Sequence, residues 1–202
     1  INQSDVDSYD FSLRETQTYE IIDDVAHMKS EIGLLYYNDF NRPVLEKLIH
    51  TNELTFTELF TAHPHIFIGK THPLANKDVV SMDELEEYPY ISFEQGDHNS
   101  FYFSEEIFST VVRPKHIRVR DRASLFSLLL GLNGYTVSSG VIDKEVNGEN
   151  IISVPLAEEG LMHIGYITNN KMQRSRLGQV YIQALEQYVG NYGRHIQLPE
   201  DK

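Results

Sequence analysis

The chain has 202 residues, 41% of them hydrophobic, enough to bury a core but short for two large domains. Its formal charge of −13 and isoelectric point near 5.0 exclude nucleic-acid binding through its own surface, because phosphate backbones would be repelled. The absence of cysteine excludes disulfides and thiolate chemistry, and 12 tyrosines with 10 phenylalanines exclude a disordered polymer.

The acid excess lies within residues 1–100, the remainder being balanced. No apolar run approaches the roughly 18 residues of a membrane span, and no signal peptide opens the chain, so the expected location is cytoplasmic with no membrane partner. The start at Ile1 rather than Met reads as a cut within a longer protein.

Residues 9–16 alternate, with Phe11 and Leu13 on one face, which predicts a strand; residues 17–30 place Ile21, Ile22, Val25 and Met28 at helical spacing. The apolar run 32–37 predicts a second strand, and strand–helix–strand in this length reads as a βαβ crossover in a parallel sheet. Further strands are expected over 54–61 and 65–69. Ser81 and Glu84 form a capping-box pattern that opens a short helix, which Pro89 ends before a strand over 90–93.

Residues 94–100 are polar and predict a loop, followed by a helical stretch over 101–111 and a strand over 116–120. That strand would put His116, Arg118 and Arg120 on one face, either solvated or meeting another subunit. Asp121 is placed to cap a helix over 124–132, and Asn133-Gly134 to stop it. Strands are expected over 135–139, 151–156 and 161–168, with a turn at Asn147-Gly148. Leu177, Val180, Tyr181, Ala184, Leu185, Tyr188 and Val189 form an apolar helical stripe that must lie on a sheet or a partner.

Thr71-His72-Pro73-Leu74-Ala75, then Ser81 to Leu85, Pro89 and Ile91, resembles the effector domain of LysR-type transcription regulators. Asp121-Arg122-Ala123-Ser124 and Gly134 to Gly140 resemble a later helix–turn–strand of the same family. The order and spacing of these motifs carry the resemblance, from about Tyr9 to Tyr188.

The resemblance implies an α/β fold of two Rossmann-like subdomains with mixed sheets, like the type 2 periplasmic binding proteins, joined by two crossover segments. It divides the chain into subdomain I, residues 1–70 and 158–202, and subdomain II, residues 71–157. The implied function is effector sensing: a small polar metabolite, an amino acid or small carboxylate, binds in the cleft of a homodimer or homotetramer. DNA is reached only through an N-terminal winged helix-turn-helix domain outside this chain. Two departures stand out. The family's opening strand and helix are not found before Tyr9, and Ser139 replaces a usual proline. A solute-binding protein of a transporter would share this architecture and is the alternative reading.

In open α/β sheets, ligands sit at the carboxyl ends of strands beside helix N-termini, whose free amides favour anions. That rule selects Thr16 and Thr18 between a strand and a helix, and Tyr36 at a strand end. It also selects Glu94 and Gln95 after Phe93, Ser124 at a helix start, and Thr136, Ser138 and Ser139 on a later strand. Each could equally cap a helix or satisfy local backbone. Hydroxyls and amides with few converging charges suit a small polar ligand.

His63, His65 and His72 lack a metal-binding pattern, so no metal is expected. Ser138-Ser139-Gly140 lacks a nucleophile elbow, and no phosphate-binding glycine motif is present, so neither catalysis nor a cofactor is expected.

Overall fold

The computed structural model describes residues 10–142 and 148–192, with side chains through Gly190. In chain order the elements are α1 (Thr18–Ala26), β1 (Gly33–Tyr37), α2 (Arg42–Thr51), β2 (Leu54–Ala62), β3 (His65–Gly69), β4 (Tyr90–Phe93), β5 (His116–Val119), α3 (Arg122–Gly131), β6 (Thr136–Ser138), β7 (Ile151–Pro155), β8 (Met162–Asn169) and α4 (Arg176–Tyr192). Among the described residues no helix is long and apolar enough to cross a membrane.

Two sheets organise the molecule. In the first, β8 lies between β1 and β2 and is antiparallel to both. Helices α1 and α2 cover it, burying Ile22, Val25, Leu45 and Ile49 against Leu35, Leu54 and Ile167. In the second, β3 pairs antiparallel with β6 and β7. The parallel pair β4–β5 joins it through Tyr135, whose amide donates to Pro89 O while its carbonyl accepts from Ile91 N.

Strand alternation gives this second sheet two apolar faces. Phe67, Ile91 and Val119 pack on Leu125 and Leu129 of α3. Ile66, Ile68, Val137 and Val154 turn the other way, into a core that also takes Met162, Tyr36 and Ile164 from the first sheet. One core therefore glues the two sheets together. The chain changes sheet at His63-Pro64 and returns between Leu156 and Met162, so β3 pairs within the second sheet and the expected division after residue 70 falls on its far side.

Several local expectations are met with identifiable contacts. Asp121 accepts from Ser124 N at 2.8 Å and caps α3. Ser81 N donates to Glu84 Oε2 at 3.0 Å, although the capping box closes only a 3₁₀ turn, Asp83–Leu85. Others are corrected. Residues 10–17 form no ladder, and Leu13 is 79% exposed, because the alternation of Phe11 and Leu13 finds no strand to pair with. The expected parallel crossover is therefore replaced by antiparallel pairing of β1 with β8.

The helix expected over 101–111 is a single 3₁₀ turn, Phe101–Phe103. Phe108, at φ +62°, is left-handed and incompatible with a continuous helix. Helix α2 has no counterpart in the sequence reading, though Val44, Leu45, Leu48 and Ile49 recur at helical spacing after Pro43. The stripe on α4 is only part-covered: Ala184 and Tyr188 are exposed, and Ile182, outside the stripe, is buried. Asn147 and Tyr9, which begin an expected turn and strand, lie outside the described residues.

Candidate functional site

The two sheets meet across a seam built on Gln95. This residue follows β4 directly, so the strand end delivers its side chain to the N-terminus of α1, where it is 2% exposed. Gln95 Oε1 accepts from Thr18 N at 3.2 Å, and Gln95 Nε2 donates to Glu105 Oε1 at 3.2 Å. A free helix amide is thus satisfied by a side chain from the opposite sheet, since α1 has no side-chain cap of its own. Gly96, at φ +53°, adopts the left-handed backbone that side-chain-bearing residues enter only with strain, and a Cβ there would displace the Gln17 carboxamide, 2.7 Å away.

The segment after Gln95 is wedged between the sheets by aromatic contacts. Phe103 packs edge-on against Tyr19 at 5.6 Å, Tyr102 stacks on Phe40 at 4.8 Å, and the Tyr36 hydroxyl donates to Ser104 O at 3.3 Å. Behind it the Glu106 carboxylate is buried, accepting from Phe93 N at 2.8 Å and Ser104 Oγ at 3.0 Å. Desolvation pushes its pKa up to about 8.

Beside the seam lies a cavity of about 350 Å³. Glu15 and Glu20 reach it from the α1 side; Glu94, Asp97, Glu105 and Arg120 reach it from the β4–β5 side. Arg120 is ion-paired with Glu94. Burial raises the Glu105 carboxyl to about 7, opposed by the Gln95 hydrogen bond and reinforced by Glu15. Five carboxyl groups and one guanidinium make this a strongly acidic cleft, against the expectation of few converging charges.

The expected site residues divide into two groups. Thr16 and Glu94 line the cavity, while Thr18, Gln95 and Tyr36 form the seam behind it. Ser124 instead bonds Asp121 through both its amide and its hydroxyl. Thr136 is buried in β6 opposite Phe67, Ser138 faces His65, and Ser139 Oγ accepts from Val141 N at 3.4 Å. None of these four lines the cleft cavity.

Glu15, Glu20, Asp97 and Glu105 were not singled out by sequence reasoning, for in sequence they look like any solvated charge, and Arg120 was marked only as part of a solvated or subunit-facing strand face. His72 is occupied locally: Leu74 N donates to its Nδ1 and its Nε2–H donates to Asn133 O, both at 3.1 Å, which fixes a neutral tautomer. Burial lowers its pKa further. Among the described residues no group of three or more His, Cys, Asp or Glu side chains could hold a metal ion.

Comparison with known proteins follows the same outline. HinK, a LysR family transcriptional regulator from Pseudomonas aeruginosa, superposes with a TM-score of 0.58 at 15% identity, over 89% of this chain and 59% of that one. The reduced form of OxyR gives 0.57 at 18% identity, over 92% and 82%. The effector binding domain of QuiR, in complex with shikimate, gives 0.55 at 18% identity, over 90% and 80%. The chain thus spans about three-fifths of the regulator HinK. No curated protein sequence matches it. The LysR substrate binding domain family matches residues 8–190, nearly the whole chain, and the chain belongs to that family.

Proposed function

We propose that this effector-binding domain works as two lobes, residues 10–62 with 162–192 and residues 65–156, that close on a small polar effector in the acidic cleft. The observation that carries this reading is the Gln95–Thr18 hydrogen bond: a contact between lobes made at a helix N-terminus, beside a cavity of about 350 Å³. QuiR, which shares the fold, has an effector binding domain seen in complex with shikimate, an amine-free carboxylate, so the fold accepts a small polar effector while the ligand class is set by the cleft's own charges.

The charge of the cleft narrows the class. With five carboxyls to one arginine, an effector bearing an amine, such as an amino acid, is favoured over a simple carboxylate. Closure on the ligand would shift the population of lobe arrangements in a homodimer or homotetramer and so reorient DNA-binding segments elsewhere in the full-length protein.

A thermal-shift panel of amino acids, amines and amine-free carboxylates tests this. Binding to the folded state alone stabilises by about 2.7 kcal/mol at a hundredfold excess over Kd. Amine-bearing members should raise Tm and amine-free carboxylates should not raise it through the cleft. Silence across all three classes contradicts the proposal.

A further inference from the structure

Glu105 stands apart from the other carboxyls of the acidic cleft. Glu94 is ion-paired with Arg120, Glu15 with Arg122 at 3.6 Å, and Glu20 accepts from the Thr16 hydroxyl. Asp97 is exposed to solvent. Glu105 has no ion-pair partner among the described residues, and the hydrogen bond to its Oε1 comes from an uncharged amide, Gln95 Nε2. Its second oxygen, Oε2, has no protein partner there; it is not sealed in the interior, and the residue lines the cavity.

The amide bonded to Glu105 is the one that crosses the seam. Gln95 gives its Nε2 to Glu105 and uses its Oε1 to accept from Thr18 N of α1, so the three groups form one chain from cavity wall to opposite lobe. An ionised acceptor makes a shorter and roughly twice as strong a hydrogen bond as a neutral one. Charge on Glu105 therefore tightens its hold on the side chain that caps α1.

The surroundings decide when that charge is present. Glu15 faces Glu105 from residues 10–17, Glu20 from α1, Glu94 and Asp97 from the end of β4, and Arg120 from the end of β5. Arg122 of α3 attracts the anion from a distance while it bonds Glu15. Glu106, next in the chain, turns away to Phe93 N and Ser104 Oγ and stays neutral up to about pH 8. Burial dominates this balance and leaves Glu105 half-protonated at about pH 7. An ammonium group beside Oε2 would supply the counter-charge that the protein withholds.

We propose that Glu105 is the carboxyl through which the cleft recognises an amine-bearing effector, and that it releases a proton to water when the ammonium binds. This rests on the cleft reading above and adds to it a residue and a pH dependence. The ammonium keeps its own protons and no covalent bond forms. The carboxylate left behind pairs with the ammonium through Oε2 and strengthens the Gln95–Thr18 link through Oε1, so that occupancy of the cleft and contact between the lobes rise together.

Carboxyl ¹³C titration by NMR tests it, with the domain free and with L-lysine or butylamine, hexanoate serving as amine-free control at matched ionic strength. In the free domain Glu105 should titrate with a midpoint of about 7, and the Thr18 amide should follow it. Either amine at saturation should lower that midpoint by about one unit or more, and amine affinity should rise by up to about tenfold per unit between roughly pH 5.5 and 6.5, levelling above about pH 7.5. Glu105→Gln keeps an oxygen for Gln95 and should match the wild-type Tm at about pH 6, yet bind both amines roughly tenfold more weakly at about pH 8, without the pH dependence. His98, whose ring lies 3.5 Å from that of Tyr19, is the nearby side chain of a type that exchanges protons near neutrality, and His98→Gln should keep the dependence. A Glu105 midpoint below about 5, a flat affinity profile, a profile retained in Glu105→Gln, equal binding of hexanoate, or binding of neither amine would each overturn the proposal. The cleft reading outlives these results and falls only with silence across the thermal-shift panel.

Discussion

Ile66→Ala should cost the domain about 3–4 kcal/mol, within the range for removing a buried isoleucine side chain beyond Cβ. Ile66 is fully buried at the middle of β3, opposite Val137 on one side and Val154 on the other. It belongs to the core that receives Met162, Tyr36 and Ile164 from the first sheet, so the void would open where the two sheets are joined. For a chain of this size each kcal/mol lowers Tm by roughly 2–4 °C. Val112→Ala, at 92% exposure, should change stability by less than about 0.5 kcal/mol. Urea unfolding of both variants reads the contrast, and similar losses would mean that the core does not carry the load assigned to it.

Glu106→Gln should make the protein more stable at pH 8 and leave it unchanged near pH 4. The folded-state pKa of about 8 lies above the ordinary value of 4.5 because burial disfavours the charged form. The folded chain therefore holds a proton that the unfolded chain releases, and stability falls as pH rises between these two values. At 1.36 kcal/mol per unit the penalty at pH 8 reaches up to about 5 kcal/mol, largely absent from the glutamine variant. The amide keeps the geometry, accepting from Phe93 N and donating to Ser104 Oγ in place of the present pair. Denaturation midpoints at pH 4.5 and pH 8 check this; a parallel pH dependence in both proteins would refute it.

What sequence could convey was mostly local. The cap at Asp121 rests on residues three apart, and the strand over 90–93 on a short apolar run after Pro89, so both are legible in the chain itself. Sheet partners are not. The β1–β8 pairing puts Gly33 beside Ile167, a contact no local periodicity encodes, and the alternation of Phe11 and Leu13 supplies a strand pattern without a partner. The family resemblance filled part of that gap by supplying the two-lobed plan.

The site followed the same rule. Thr18 and Gln95 were chosen separately, as residues at a helix start and a strand end, and the fold joins them into one hydrogen bond across the seam. Glu105 gains its meaning only from desolvation beside Gln95, which is a property of packing and not of sequence. Ser124 shows the converse, since its position at a helix start marked it equally as a cap and as a ligand contact.

The central claim is that an effector sits between the lobes at the Gln95 seam. Amide shift mapping of the ¹⁵N-labelled domain, titrated with the amino acid that raises Tm most in the panel, tests it directly. Saturable shifts should concentrate at residues 15–20 and 93–97, with Thr18 among the largest because its amide proton lies in the seam. Shifts confined to other surfaces, with Thr18 and Gln95 unmoved at saturation, would contradict it.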